Sequence, residues 1–321
     1  MQKVVITDYA FDDIDIEKNV LAPLGCRLET LKAGRDQALI NLVKDADAVI
    51  TQFAPINAEV IGAMEKAKVI VRYGIGVDNV DLKAAAAKNI PVCNIPDYCI
   101  DEVADHTLAL MLAATRQIVP CDSVIKSGQW KLPVPLAALH ALKDMTVGLV
   151  AFGRIGREVA ARLKGFKCRI LVFDPAVAAA DVKAAGCELA SLDDVLAQSD
   201  LLSLHCPRTE KTKYMLNSTT IAKMKKGAIL VNASRGTLVD TPALIAALQS
   251  GQLSAAALDV TDPEPPGADH PLLKLGNVVI TPHDASATPQ SVRKLRVSAA
   301  EIAAKALRGE KLSSVVNGVK S

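Results

Sequence analysis

The sequence predicts an α/β protein built of two successive units, each a parallel sheet covered by helices. Three observations predict it. The 321 residues are enough for about two domains at roughly 150 residues each. Short β-branched runs alternate with helical stretches along the chain, the pattern of a parallel sheet with helical crossovers. That alternation is interrupted at Ile95-Pro96-Asp97 and begins afresh at Thr146.

In the first series the strand-like runs are Val4–Thr7, Ala48–Thr51, Val69–Arg72 and Val92–Ile95. Helical stretches such as Arg35–Val43, Asn57–Met64 and Asp81–Lys88 separate them. Next comes the longest uninterrupted helical pattern, Asp101 to Arg116, with Val103, Leu108, Leu110, Met111 and Leu112 crowding more than one face. A helix apolar over so much of its circumference is buried between layers or packed on a second subunit. The second series runs through Thr146–Phe152, Arg169–Phe173, Leu201–Leu204, Ala228–Val231, Ser254–Val260 and Val278–Thr281. A last helical pattern covers Ser291 to Leu307 and is free to return to either unit. Asp262-Pro-Glu-Pro-Pro-Gly267 is a loop on any reading.

Composition excludes several classes. Half the chain is hydrophobic and 22% is charged, enough for sizeable cores and far from a disordered composition. Lys+Arg 37 against Asp+Glu 35 leaves +2, which gives no electrostatic reason to expect nucleic acid or anionic lipid as a partner. Aromatics at 3% are poor stock for stacking on bases. No apolar run approaches the roughly 20 residues of a membrane span. The start, MQKVVITDYAFDDID, lacks the form of a signal peptide. The seven cysteines are scattered without a Cys-x-x-Cys, which fits free thiols in a reducing compartment. A soluble cytoplasmic protein is expected.

Thr146-Val-Gly-Leu-Val-Ala-Phe-Gly-Arg-Ile-Gly156 reads as a strand entering a glycine turn. A helix follows with Ile155, Val159 and Leu163 on one face, then a second strand that ends in Asp174. In this context a glycine motif means dinucleotide binding. Gly153 lets the backbone approach a pyrophosphate, Gly156 lets helix pack on strand, and the helix N-terminus favours the negative charge. Ala151 stands where the full fingerprint has its first glycine; if that position needs positive φ, a Cβ costs on the order of 1 kcal/mol. Asp174 would accept the adenosine ribose hydroxyls and repel a 2′-phosphate, and Pro175 follows it rather than a basic side chain. NAD is therefore favoured over NADP.

Among the five histidines, His106, His140 and His270 read as structural, and His205 as ending a strand that borders the cofactor. His283 differs, because it lies just beyond a strand end, where ligand sites of open α/β sheets collect. Arg235 and the acids Asp259 and Glu264 follow two other strands in the same way. Without a His-Glu-x-x-His or a cysteine cluster, no metal site is expected.

Taken together, Gly153–Gly156 with Asp174, Asn232-Ala-Ser-Arg-Gly-Thr-Leu-Val-Asp240, Asp259 to Glu264-Pro265 and Thr281-Pro-His-Asp-Ala-Ser286 resemble the motifs of the D-isomer-specific 2-hydroxyacid dehydrogenases. Arg72-Tyr-Gly-Ile-Gly-Val-Asp-Asn-Val-Asp81 and Asp97 to Asp105 match as well, so the resemblance covers nearly the whole chain. It implies a Rossmann NAD-binding domain, 98–288, inserted into a flavodoxin-like substrate domain of 1–97 completed by the tail 289–321. It implies Arg235 as the holder of substrate carboxylate and carbonyl, Glu264 as the partner of His283, and His283 as the proton donor. Substrate contacts would come from Arg72, Tyr73, Gly74, Ile75 and Gly76, with backbone amides of Gly74 to Val77 on the carboxylate. Asp259 would orient the nicotinamide amide. Gly153, Arg154, Ile155, Gly156, Asp174, Cys206, Pro207, Ala233, Ser234, Arg235, His283, Ala285 and Ser286 would complete the cofactor contacts.

The division of labour makes physical sense by itself. A nicotinamide carries the hydride, so the protein must protonate a developing alkoxide, fix an anion beside it and exclude water. Arg72 could meet a phosphate, as the resemblance implies for 3-phosphoglycerate dehydrogenases. The Thr51-Gln-Phe-Ala-Pro55 loop, however, lacks the arginine and lysine that those family members carry there, and the short C-terminus is expected to leave no room for a regulatory domain. A small 2-oxo acid such as hydroxypyruvate or glyoxylate is preferred over 3-phosphoglycerate chemistry. The competing class is a corepressor-like NAD-sensing scaffold without turnover. A homodimer paired through the Asp101–Arg116 helix is expected.

Overall fold

The structure, a computed structural model, describes residues 1–31 and 36–320. It divides into two compact units, Met1–Tyr98 with Thr288–Ser321, and Cys99–Ala287. Arg35, where the first predicted helix begins, lies outside the described residues; that helix is seen over Asp36–Val43.

In the first unit the strands are β1 (Lys3–Ile6), β2 (Arg27–Thr30), β3 (Ala48–Thr51), β4 (Ile70–Arg72) and β5 (Val92–Cys93). They pair in parallel in the order β2-β1-β3-β4-β5, that of flavodoxin-like doubly wound sheets. The inner strands β1 and β3 are buried throughout, as a sheet covered on both faces demands. Sequence reading misses β2. It is an edge strand of sequence Arg-Leu-Glu-Thr, with no fully buried residue, so it carries no apolar run to detect.

The helix Pro289–Arg308 starts on a capping box between Thr288 and Ser291, with Pro289 in its first turn. It returns to this unit, packing on β3, β4 and the helix Asp15–Leu21. Its one deeply buried charge, Arg296, is answered in full. Nε lies 2.9 Å from Glu17 Oε1, Nη2 lies 2.8 Å from Glu17 Oε2, and Nη2 also reaches Asp13. The Phe11 ring lies under the guanidinium at 4.8 Å. Tyr73 donates its hydroxyl to the same Glu17 at 2.9 Å, and burial, then Glu17, push that phenol well above its ordinary value. The loop after β4 is thereby tied to the C-terminal helix.

The second unit contains β6 (Thr146–Val150), β7 (Arg169–Phe173), β8 (Glu188–Leu189), β9 (Leu201–Leu204), β10 (Ala228–Asn232), β11 (Leu253–Leu258) and β12 (Val278–Ile280). All pair in parallel, in the order β12-β11-β10-β9-β6-β7-β8. Counted from β6, the strands β6 to β11 take the 3-2-1-4-5-6 order of dinucleotide-binding sheets, and β12 extends it. The order reverses between β6 and β9, which is where such sheets open a crevice at their carboxyl ends.

The helix Ile100–Thr115 belongs to this unit and corrects one expectation. Val103, Leu108, Leu110 and Met111 are buried, against the helix Arg154–Leu163 and the strands β10 and β11. Its outward positions are Asp101, Asp105, Ala109 and Arg116. The apolar faces are covered within the unit, so they supply no reason for a second subunit. Arg162 crosses to Asp101 and Asp105 at 2.7 and 2.6 Å and fastens the two helices. Exposed apolar side chains come just afterwards: Ile118, Val119, Ile125, Trp130, Leu132 and Leu136.

Candidate active site

Six strands of the second unit end at one edge, and each hands a candidate residue to it. Ala151–Gly156 follows β6, Asp174 follows β7, and His205-Cys-Pro207 follows β9. Ala233–Gly236 follows β10, Asp259–Glu264 follows β11, and Thr281–Ser286 follows β12. Because the strands are parallel, residues scattered over 136 positions, from 151 to 286, reach the same side of the sheet.

The glycine turn is fixed from both sides. Phe152 is fully buried, its amide donates to Asp174 Oδ2 at 2.8 Å, and its carbonyl accepts Arg157 Nε at 3.1 Å. The Arg157 guanidinium also lies 4.8 Å over the Phe152 ring. Ala151 has φ +77°, the positive value that explains a glycine in the full fingerprint. The two glycines that remain have different causes. A Cβ on Gly156 would sit 2.5 Å from the Ala151 carbonyl, so helix-to-strand packing requires a glycine there. Gly153 has an ordinary φ of −73°, and a Cβ on it would meet nothing within 4 Å. Neither backbone nor packing asks for a glycine at 153, at the N-terminus of a ten-residue helix. A ligand backbone laid against that amide does. The turn therefore fits a dinucleotide pyrophosphate, with Arg154 exposed beside it and Ile155 turned partly into the core.

Asp174 accepts one backbone amide on each oxygen, Phe152 on Oδ2 and Ala176 on Oδ1. Each carboxylate oxygen can accept more than one donor, so ribose hydroxyls remain acceptable partners. At the end of β9, burial lowers His205 to about 4, so it is neutral near pH 7, and its Nε2 lies 3.0 Å from Ser203 Oγ. Cys206 is buried and pushed up to about 11, which leaves a thiol rather than a nucleophile. Ser234 holds the Cys206 carbonyl at 2.6 Å, linking the β9 and β10 loops.

His283 Nδ1 and Glu264 Oε1 are 2.5 Å apart, on side chains 38% and 40% exposed. Burial pushes the Glu264 carboxyl up, but the hydrogen bond and charge of His283, a backbone hydrogen bond at Thr261 and the charge of Arg235 outweigh it. Glu264 is held below its ordinary value of 4.5 and is ionised at neutral pH. Arg235 comes from an extended residue before Gly236. A Cβ on Gly236 would lie 1.9 Å from the Thr261 carbonyl, so only glycine lets the β10 and β11 loops meet this closely. Thr241 and Tyr214 hold Asp262 on either side, at 2.7 and 2.8 Å. The His283–Glu264 pair and the Arg235 guanidinium are thus brought together by backbone contact.

Asp259 was expected at the nicotinamide amide. Its side chain is only 1% exposed and serves the chain itself. Oδ1 accepts Thr281 Oγ1 at 2.6 Å and the Asp284 amide at 3.0 Å, and Oδ2 accepts the Ala285 amide at 3.1 Å. Asp259 thereby holds the loop that follows His283. Ser286, the last expected cofactor contact, ends that loop. His106, Asp259 and Asp284 could offer one metal-ligand atom each, these atoms lying within 4.8 Å of one another.

The remaining expected residues lie in the first unit. Arg72 ends β4, and its guanidinium folds back over Gly74, where a Cβ would lie 1.4 Å from Nη1; Gly74 has φ +147°. The Tyr73 side chain is buried on Glu17, so what Tyr73 can give a ligand is its backbone. Sequence reading missed Asp8, which lies two residues beyond β1. Its carboxylate accepts the amides of Gln52 and Phe53 at 3.0 and 2.6 Å and so shapes the loop in which Phe53 is 59% exposed. An acid just after a buried strand was the available signal.

Residues 108–285 match the family described as D-isomer specific 2-hydroxyacid dehydrogenase, NAD binding domain. The chain is 40% identical to the glyoxylate reductase of Korarchaeum cryptofilum, over 88% of this chain and 86% of that one. It belongs to the D-isomer-specific 2-hydroxyacid dehydrogenase family. NAD is the cofactor of its second unit. The chain is also 40% identical to the D-3-phosphoglycerate dehydrogenase of Mycobacterium leprae, over 94% of its own length but only 57% of that protein's. Among solved structures, D-lactate dehydrogenase from Aquifex aeolicus, complexed with NAD and lactic acid, covers 96% of each chain at TM-score 0.87 and 29% identity. The resemblance read from the motifs holds at the level of family and fold class.

Proposed function

We propose that this family member is an NAD-dependent oxidoreductase that interconverts a D-2-hydroxy acid and a 2-oxo acid of the hydroxypyruvate or glyoxylate type. The observation that carries it is the His283–Glu264 pair beside Arg235, at the sheet edge that also holds the dinucleotide turn. NAD bound there takes or gives the hydride.

With Nδ1 engaged by Glu264, His283 presents Nε2 to a substrate. In reduction, Nε2–H gives its proton to the oxygen of the carbonyl while Nδ1–H stays on the Glu264 side. In oxidation the same nitrogen takes the hydroxyl proton back. The ionised Glu264 stabilises the imidazolium in both directions, and the planar fork of Arg235 matches a carboxylate. The backbone from Arg72 to Gly76 is assigned, as the motifs imply, to contacts with the acid.

Phe53 supports an unphosphorylated substrate, because an exposed ring stands in the loop where a phosphate would ask for cations. The similarity to glyoxylate reductases favours the same choice. We further propose a homodimer in the cytoplasm, without nucleic-acid or membrane partners. Its seven cysteines, scattered and without a disulfide among the described residues, suit a reducing compartment, and Trp130 and Leu136, 92% and 76% exposed, make residues 118–136 the face that a second copy would cover. Among the described residues no single helix is long and apolar enough to cross a membrane.

A panel of 2-oxo acids, including glyoxylate, hydroxypyruvate and 3-phosphohydroxypyruvate, followed by NADH absorbance, tests the activity. Turnover of the first two supports it, preference for the phosphorylated acid replaces the substrate, and NADH binding without any turnover favours the scaffold reading. Light scattering at micromolar concentration tests the dimer.

A further inference from the structure

His106 sits inside the helix Ile100–Thr115, where its sequence context suggests a structural role. In the folded unit it begins a polar chain that ends on the two backbone amides following the proposed proton donor. Its Nε2 lies 3.0 Å from Thr281 Oγ1, and Thr281 Oγ1 lies 2.6 Å from Asp259 Oδ1. A hydroxyl has one hydrogen. Thr281 gives it to the carboxylate, so its oxygen accepts from His106, and His106 carries its hydrogen on Nε2.

Asp259 then acts on backbone. Its two oxygens hold the amides of Asp284 and Ala285, the two residues that follow His283. His283 itself has φ +58°. That left-handed conformation is strained for a side-chain-bearing residue and persists only where surrounding contacts determine it. The two amides clamped by Asp259 are such contacts, and Thr281 N, bonded to the Leu258 carbonyl at 2.9 Å, fixes the start of the same loop.

We infer that His106 is a positioning residue: through Thr281 and Asp259 it locks the 281–285 loop in the conformation that aims the His283 ring at Glu264. It touches neither substrate nor cofactor in this role. The inference rests on the proposed reaction for its consequence in catalysis, whereas the link from His106 to the loop backbone is independent of turnover.

The test uses the full chain with His106→Leu, which removes the N–H, and His106→Gln, which places an amide N–H near the position of Nε2. Thr281→Val, nearly isosteric, breaks the chain one step later. Losing one hydrogen bond of about 1 kcal/mol corresponds to a roughly five-fold effect. His106→Leu and Thr281→Val should lower the reductive kcat by about that factor, leave the KM for NADH within about two-fold, and speed amide exchange at Asp284 and Ala285 by a similar factor. Exchange at Leu149 and Val231, in the sheet, should stay at the parental rate. His106→Gln should restore most of both losses. Parental kcat and parental exchange in His106→Leu would overturn the inference. Equal losses in the Leu and Gln variants would also overturn it, since ring packing rather than the N–H would then matter. If the parent turns over no 2-oxo acid, the proposed reaction falls while amide exchange still decides the positioning role.

Discussion

The amide of Phe152 donates to Oδ2 of Asp174 across 2.8 Å, so the residue proposed to favour NAD over NADP also holds the glycine turn. This changes what a substitution reports. Asp174→Ala should relax the preference for NAD by removing the carboxylate that repels a 2′-phosphate. It should also leave the buried Phe152 amide without its acceptor, at about 1–3 kcal/mol. Asp174→Asn keeps an acceptor and removes the charge. It should shift the NAD to NADP ratio of kcat/KM with a smaller loss of melting temperature than the alanine variant. An unmodified protein that prefers NADP would show the assignment to be wrong.

Gly153 and Gly156 should separate binding from folding. A Cβ at Gly153 meets nothing within 4 Å, so the stability of Gly153→Ala should stay within about 0.5 kcal/mol of the parent while the Kd for NADH rises. Gly156→Ala forces a Cβ to 2.5 Å from a backbone oxygen, and overpacking of this kind costs typically about 1–3 kcal/mol. Thermal melts and NADH fluorescence titrations on the two variants check both halves. A destabilised Gly153→Ala with unchanged affinity would remove the pyrophosphate from this turn.

The sheets were legible where burial wrote them. β1, β3, β6, β9 and β10 are apolar nearly throughout, because both of their faces are covered, and such runs are hard to miss. β2 and the two-residue exposed β8 were not legible, since an edge strand needs only backbone pairing. The proximity of Arg235, Glu264 and His283 followed from their places after strands of one parallel sheet. The way they are held did not. Asp259 reads as a ligand contact in sequence because nothing local reveals that its partners are the amides 25 and 26 residues further on. His106 reads as filler for the same reason, its partner Thr281 being 175 residues away.

His205 should make the protein acid-sensitive in a defined window. Burial lowers its pKa to about 4, from an ordinary value of 6.5. Between those values the unfolded chain binds the proton and the folded chain does not, so stability rises with pH across the window. The contribution is intact above about 6.5 and is lost as pH falls towards 4. The His205 imidazole resonances should titrate near pH 4 in NMR, and His205→Asn should flatten the fall in denaturation midpoint over that range. Titration near 6.5 would show the site to be open to water.

His283 and Glu264 should behave as one acid–base unit. Reduction needs the imidazolium, whereas oxidation needs the neutral ring. Because Glu264 is held below 4.5, its charge is present across the assay range and favours the imidazolium throughout. Glu264→Gln keeps the shape and removes the charge. The reductive kcat/KM should then lose activity at lower pH than in the parent, and the oxidative limb should extend to lower pH. His283→Ala should cost far more, on the order of 10²–10⁴-fold for a lost general acid. Glu264→Gln also tests geometry, since its amide can still meet Nδ1 in one ring tautomer; a uniform drop at every pH would mean that orientation alone was lost. pH–rate profiles in both directions for the parent and Glu264→Gln separate these outcomes. If the two reductive profiles fall at the same pH, the 2.5 Å contact positions the ring without setting its charge, and the role given to Glu264 is reduced to orientation.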